Sequence, residues 1–593
     1  MSADLPAPPL PPSSRFAALA ARLRHFPPRG GGKSDGTVPR LTLALIALLG
    51  VQLVLIGLDA AFPPDLSKAY RSSPVALDRR GAWLRALPVE HGRWRIRADL
   101  ARTDPSFIVR LVALEDGRFW LHPGVDPMSA VRAAASAALH GRITSGASTL
   151  TMQDARLLEP RRRTFAAKLY QMARALQLQA RLSKREQLAL YLTLAPYGGN
   201  LEGVRAASLA YFGHGPETLT PAEQAMLIAL PQSPEARRPD RHPAAARAAR
   251  ARLLDRMVRA GLLPAAAGEE AMTDPLPGRQ GFPGLAWHAA GQLARAAPAT
   301  QATVLTTLDA DLQRRLEPLA AATAKTQGEN AEVAILVVEA KSRAVRAAVG
   351  SAGLDAPGGW MDLTQALRSP GSALKPFIYG LAMDDGVVAA DTVLDDTPRR
   401  FAEYQPENFD RVFHGNVTMR EALIHSLNVP AVETLDRLGP QAFEARLTGA
   451  GAHLVRPNAG DRDPGLALAL GGEGISLRDL VMLYAALADD GLAKPLAWTE
   501  ADAKARLADP GHRLMRQASA RAILDILREG PPPKGRAPGA LTRTAPMAFK
   551  TGTSYGFRDA VALGVVGGYV IAVWTGRADG GARPDLKIGR AHV

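Results

Sequence analysis

"RSPGSALKPF" (residues 368–377) sets a serine, Ser372, three residues before a lysine, Lys375, between two prolines. On a helix, residues three apart share a face. A serine hydroxyl is a weak nucleophile until a base takes its proton. A lysine does this when burial or nearby positive charge lowers its pKa. Pro376 has no N–H to give to the carbonyl of Ser372. The serine is therefore expected at the start of a helix, where free N–H groups and the positive end of the dipole favour an oxyanion. Taken alone, the stretch is weak: Ser-x-x-Lys arises often by chance, and an ordinary helix start explains it.

Two later stretches change its weight. "SLN" holds Ser426 and Asn428 and follows the helical "REALIH"; "KTGTS" begins at Lys550 and precedes a hairpin pattern. An edge strand carrying Lys550, Thr551, Gly552 and Thr553 would offer N–H and C=O groups to an extended peptide. Lys550, with Thr551 or Thr553, would bind a carboxylate. Ser426 would relay a proton, and Asn428 would orient Lys375 or a substrate amide. Three such motifs in this order are a known mark of serine acyl-transferases that react with β-lactams.

The bulk properties set the surroundings. The chain has 593 residues, enough for several domains, with 47 % hydrophobic and 22 % charged residues. Without cysteine it has no disulfides, thiolate catalysis or cysteine-ligated zinc. The net charge of +15 fits nucleic acid, an anionic membrane or a phosphate-bearing substrate. "LTLALIALLGVQLVLIGL" (residues 41–58) carries no charge and is long enough to span a membrane. Arg15, Arg22, Arg24, Arg29, Lys33 and Arg40 precede it against only Asp4 and Asp35. This bias keeps the N-terminus cytoplasmic and exports the rest. Export disfavours nucleic acid and favours a membrane or lipid diphosphate.

The chain then divides into a cytoplasmic disordered basic tail (1–40), a transmembrane helix (41–60), a spacer (61–90), a mainly helical domain (91–250), a linker (251–302), an α+β domain (303–587) and a tail (588–593). In the α+β domain, residues 331–351 read as two strands with a tight turn at 341–343, and 559–576 as a second hairpin. The ending "IGRAHV" (588–593) is expected to be a non-native tail on a truncated gene, lacking a last helix over the sheet.

The first half carries its own ordered motifs: "LEDGRFWLHPGVD" (114–126), "GASTLTMQ" (146–153), "RRRTFAAKLYQ" (161–171) and "LYLTLAPYGGNLEGV" (190–204). They resemble the family 51 peptidoglycan glycosyltransferases. The second-half motifs resemble the transpeptidase domain, so the whole is similar to the bifunctional class A penicillin-binding proteins. The resemblance implies an N-terminal transmembrane helix, a lysozyme-like α domain and an α+β transpeptidase with an antiparallel sheet. It places the protein in the bacterial inner membrane as a single-pass protein with periplasmic catalytic domains.

It further implies polymerisation of lipid II onto a growing glycan strand and cross-linking of stem peptides. Glu115 would take the proton of a sugar hydroxyl. Asp116, Phe119, Gly146, Ser148, Thr149, Gln153, Arg156, Lys168 and Gln171 would line that site. Lys168 and Arg156 would face the leaving diphosphate. A divalent cation such as Mg is allowed there; the transpeptidase needs none. His122 reads as structural. Gln171 departs from the family, which has a glutamate three residues after the lysine. Ser372 would form the acyl-enzyme that β-lactams trap, with oxyanion donors from Ser372 and Thr553. The other reading is a catalytically weak, membrane-anchored penicillin- or peptidoglycan-binding scaffold. A third, a β-lactamase, accounts for the second half alone. Protein partners are not legible.

Overall fold

The computed structural model describes residues 57, 59–129, 131, 148–162, 164–298, 303–401, 404–457, 463–530 and 547–583. The proposed membrane span, apart from Gly57, Asp59 and Ala60, and the proposed tail 588–593 lie outside them. Among the described residues no helix is long and apolar enough to cross a membrane. Residues 1–64 form one unit and residues 65–593 a second, which holds both the helical and the α+β halves.

The first half of the second unit is helical. α1 (Pro105–Glu115) starts on the Asp104 side chain, which accepts the N–H groups of Ser106 and Phe107, with Pro105 at its first position. It buries Phe107, Leu111, Val112 and Leu114, so Glu115 arrives at its C-terminal end. α2 (Leu150–Leu158) is capped by Thr149, and α3 (Phe165–Arg181) by Thr164. α4 (Lys184–Leu194) opens with a Ser183–Glu186 capping box. α5 (Pro243–Arg259) packs Leu253, Leu254 and Met257 into the same core as Phe107, Phe119 and Leu192.

Two segments expected to be plain connectors are ordered. Residues 61–90 contain β1 (Val75–Leu77) and β2 (Trp83–Ala86), antiparallel to each other, and β1 runs parallel to β3 (Thr303–Leu305). Within 251–302, α6 (Trp287–Ala296) buries Ala289, Ala290 and Ala294. Ala76, Leu84 and these alanines belong to the core of the second half, not the first. These pieces of the spacer and linker therefore pack with the later domain, whereas Leu253, Leu254, Met257, Leu263 and Ala271, also within 251–302, belong to the core of the first half. Strands of three or four residues are too short to show period-two alternation, and an alanine-rich helix has little hydrophobic contrast.

The second half is built on a five-stranded antiparallel sheet. α7 (Ala310–Thr326) leads into β4 (Ala331–Glu339) and β5 (Val345–Val349), joined by a turn with Arg343 at φ 58°. α8 (Lys375–Asp384) follows, then the hairpin β6 (Val393–Asp396) and β7 (Gly415–Thr418), α9 (Asn428–Leu438) and α10 (Leu477–Ala488). The chain returns through β8 (Ala548–Thr553), β9 (Asp559–Val566) and β10 (Tyr569–Arg577), and the sheet order is β8-β9-β10-β4-β5. Gly567 and Gly568 both have positive φ in the β9–β10 turn, as a two-residue hairpin loop requires.

Alternation along β4 separates two cores. Val333, Ile335 and Val337 pack with Ala320 and Ala324 of α7; Ala334, Leu336 and Val338 join the large core of α8, α9 and α10. On the α7 side, Ile571 and Val573 of β10 are only partly buried. β8 is left as an edge strand beside the turn Gly371–Leu374.

Candidate active sites

The turn Gly371–Leu374 is a 3-10 turn, and α8 begins at Lys375 with Pro376 in its first turn. Ser372 thus lies one turn before the α-helix, a refinement of its expected place at the helix start. Gly371 has φ 52°, and a Cβ there would lie 2.5 Å from the backbone N of Thr553. A Cβ on Gly552 would meet the Pro370 carbonyl at 2.0 Å. The two glycines let the edge strand and the serine turn touch backbone to backbone.

Lys375 is completely buried. Its Nζ donates to the carbonyls of Ser426 (2.7 Å) and Leu427 (2.9 Å) and to Asn428 Oδ1 (2.6 Å). None of these three bonds goes to Ser372. Burial, then the charge of Lys550, push the Lys375 pKa well below the usual lysine value, and Asp396 opposes them. The amine is thereby prepared to lose one of the protons it now shares with three acceptors. Lys550 Nζ donates to Ser426 Oγ (2.8 Å) and to the Thr551 carbonyl (2.8 Å). Ser426 links the two lysines, one through its carbonyl and one through its hydroxyl. It holds φ 58°, a left-handed conformation costing about 1–3 kcal/mol for a residue with a Cβ.

Burial lowers the Lys550 pKa to about 7. Between about pH 7 and the ordinary lysine range the folded chain holds fewer protons than the unfolded one. The contribution of this group to stability therefore rises with pH across that window. Catalysis has the opposite sign: only the ammonium pairs with a substrate carboxylate. The second-order rate of penicillin acylation is expected to fall up to about tenfold per unit above that pKa. Lys550→Arg keeps its charge and should remove this descending limb; stopped-flow acylation across pH 5–10 checks both.

Sequence reading missed the residues behind Asn428. Its Nδ2 donates to the Glu407 carbonyl (2.6 Å), and its backbone N–H to Asn408 Oδ1 (2.7 Å). Asn408 Nδ2 in turn donates to both oxygens of buried Asp396 (2.9 and 2.8 Å). "PENFD" is a turn-like stretch with an asparagine between charges, and nothing in its local pattern announces burial.

In the first half, Glu115 Oε1 accepts from Gln232 Nε2 (2.8 Å) and Oε2 from Gln153 Nε2 (3.3 Å). Lys168 donates to Ser148, and it lies close enough to Arg156 for that charge to add to burial in lowering its pKa. Gln171 is half-buried one turn further along α3. Gly146 lies outside the described residues.

Three expected ligand-binding residues face the interior instead. Asp116 accepts from His122 Nε2 (3.0 Å to each oxygen) and from the Leu150 N–H (2.9 Å). Phe119 is fully buried, with the Lys184 ammonium 4.5 Å from its ring centre. Thr149 caps α2 and donates to the Gly124 carbonyl. An acidic residue at a helix end is needed here to tie the loop down, and His122 is its structural partner. Sequence reading also missed a recess of about 140 Å³ lined by Gln232, Arg237, Arg252 and Arg256, with no acidic residue in its wall.

Comparison with known proteins decides what these two centres belong to. Residues 81–258 match the Transglycosylase family model, and 333–580 match the penicillin binding protein transpeptidase domain. Penicillin-binding protein 1C of Escherichia coli (strain K12) is 42 % identical over 551 residues, 91 % of this chain and 69 % of that protein. The chain belongs to the class A penicillin-binding proteins. It is a bifunctional peptidoglycan synthase with glycosyltransferase and transpeptidase activities. Penicillin-binding protein 1F of Bacillus subtilis (strain 168) is 28 % identical over 81 % of this chain and 70 % of its own length. Penicillin-binding protein 1A of Haemophilus influenzae, in its crystal structure, has the same fold at 15 % identity. It aligns over 88 % of this chain and 90 % of that one with a TM-score of 0.51.

Proposed function

We propose that the first domain of this class A penicillin-binding protein polymerises lipid II with Glu115 as general base. The second domain cross-links stem peptides through an acyl-enzyme on Ser372. The observation that carries the reading is the hydrogen-bonded group of Lys375, Asn428, Ser426 and Lys550 packed beside the Ser372 turn.

In the second domain, Ser372 Oγ attacks the carbonyl of the penultimate D-Ala, and its proton passes to neutral Lys375. The N–H groups of Ser372 and Thr553 hold the oxyanion. The terminal D-Ala leaves as an amine, taking a proton through Ser426. Lys550 and Thr551 or Thr553 pair with its carboxylate. The amine of a neighbouring stem then attacks the ester carbon and frees Ser372. A β-lactam stops this cycle at the acyl-enzyme.

In the first domain, Glu115 takes the proton of an acceptor sugar hydroxyl as its oxygen attacks the anomeric carbon. The C–O bond to the lipid diphosphate breaks, and Lys168 and Arg156 counter the charge of the leaving group. Ser148 and Gln153 contact sugar or phosphate oxygens, and Gln171 adds a neutral hydrogen-bonding group. A divalent cation finds a poor donor set: Asp116 is committed to His122 and Leu150, and no group of three His, Asp or Glu residues gathers among the described residues.

The apolar span at 41–58 anchors the protein in the inner membrane, with the N-terminus cytoplasmic and both domains periplasmic. Phe165, Leu169 and Leu176 support this reading. They share one stripe of α3 and are all exposed, as a face resting on lipid would be. The test combines fluorescent penicillin with labelled lipid II. A lasting adduct on Ser372 and a glycan polymer are the expected results. Rapid release of hydrolysed penicillin would point to a β-lactamase; adduct without polymer would point to a scaffold.

A further inference from the structure

We infer that Asp396 and Asn408 are positioning residues of the acylation step, holding Asn428 and through it Lys375 in the geometry that serves Ser372. This role rests on the transpeptidase reading and adds to it two residues outside the three motifs.

Hydrogen-bond polarity decides the arrangement. An amide side chain has a donor end and an acceptor end, and without a fixed partner either can face a given group. Asn408 has no such freedom. Its Nδ2 meets the two Asp396 oxygens and the Val412 carbonyl (2.9 Å), all acceptors. Its Oδ1 must then face the Asn428 backbone N–H, which it accepts at 2.7 Å. This N–H is one of the first of α9, and the bond fixes where that helix begins. Asn428 is fixed in the same way: Nδ2 to the Glu407 carbonyl, Oδ1 to Lys375. The segment carrying Glu407 and Asn408 thus grips Asn428 at two points.

Asp396 anchors the chain. It is fully buried at the end of β6, and it also accepts the His414 N–H at 3.0 Å. Burying a carboxylate is costly unless it is hydrogen-bonded and meets charge. Here its bonds run toward the catalytic lysine, whose positive charge it favours. The other charged and titratable groups around the pair are accounted for. Lys550 faces Lys375 from β8. Tyr379 of α8 is buried and feels the charges of both Asp396 and Glu433. Glu433 is itself paired with Arg399 and Arg437. Asp396 is thus the carboxylate that acts on Lys375.

Two effects follow and can be separated. Asp396→Asn removes both the charge and the forced polarity of Asn408. Acylation by a fluorescent penicillin at pH 7 is expected to slow about 100-fold, the scale of a misplaced catalytic group. The ascending limb of the pH profile, set by Lys375, should also move to lower pH, because the charge favouring the ammonium is gone. Asn408→Ala keeps the charge and breaks the link; it should slow acylation comparably without moving the limb. Asp395→Asn, on the exposed face of the same strand, is the control and should match wild type. Thermal melts give the folded fraction of each variant. The inference is overturned if folded Asn408→Ala acylates at the wild-type rate. It is equally overturned if Asp396→Asn loses rate only in proportion to its folded fraction, with the limb unmoved. Should Asp396→Asn not fold, the Asn408→Ala rate decides. Failure of wild type to form any adduct would count against the transpeptidase reading instead.

Discussion

Lys375→Ala is expected to lower the rate of Ser372 acylation by about 10³-fold or more, with little change in the fold of the first domain. Removal of a general base costs about 10²–10⁴-fold. This site belongs near the upper end, because no second base takes over. Lys550 is the nearest amine, but its Nζ is committed to Ser426 and the Thr551 carbonyl. The substitution also leaves the Ser426 and Leu427 carbonyls without their donor inside the protein. Some stability will therefore be lost with the activity. Lys375→Arg separates the two: it can refill the acceptors but cannot give up its proton at neutral pH. Both variants should be inactive toward fluorescent penicillin, and the melting temperature of the arginine variant should lie closer to wild type. An arginine variant that acylates at a tenth of the wild-type rate or better would remove Lys375 from the role of base.

How far the sequence reaches can be judged residue by residue. Ser372, Lys375, Ser426, Asn428 and Lys550 are legible because each sits in a short motif whose chemistry is local. The two hairpins are legible because β4, β9 and β10 are long enough to show strand character, and Gly567–Gly568 marks a turn. β1 and β2 are not, being three and four residues long. They are held by β3, more than two hundred residues later, and no window of sequence contains both partners. The same limit hides Asn408. Its importance lies in Asp396 twelve residues before it and Asn428 twenty after it, a relation that exists only once the β6–β7 hairpin has formed. Asp116 fails for the converse reason. Beside Glu115 it reads as a second carboxylate lining the site, yet adjacent residues at a helix end point in different directions. One carboxylate meets Gln153 and Gln232, and the other meets His122.

Glu115→Gln is expected to reduce glycan polymerisation by about 10²–10⁴-fold and to leave penicillin labelling of Ser372 at the wild-type rate. The substitution is nearly isosteric, so a loss would report the proton and not the packing. The surroundings make the reading sharp. Among the described residues, Glu115 accepts from two glutamine amides, Gln153 and Gln232, and from no ammonium or guanidinium. Both donors are neutral. They orient the carboxylate toward the space between them. A glutamine at 115 can turn its Oε1 to one of these donors but must present an N–H to the other. The local network is strained while the helix α1 stays intact. Gln232→Ala should therefore slow polymerisation less than Glu115→Gln, since it removes an orienting bond and leaves the base. Equal and residual glycan from wild type and Glu115→Gln would show that the first domain does not polymerise through this carboxylate. The Ser372 adduct measured on the same samples would show whether the second domain works without it.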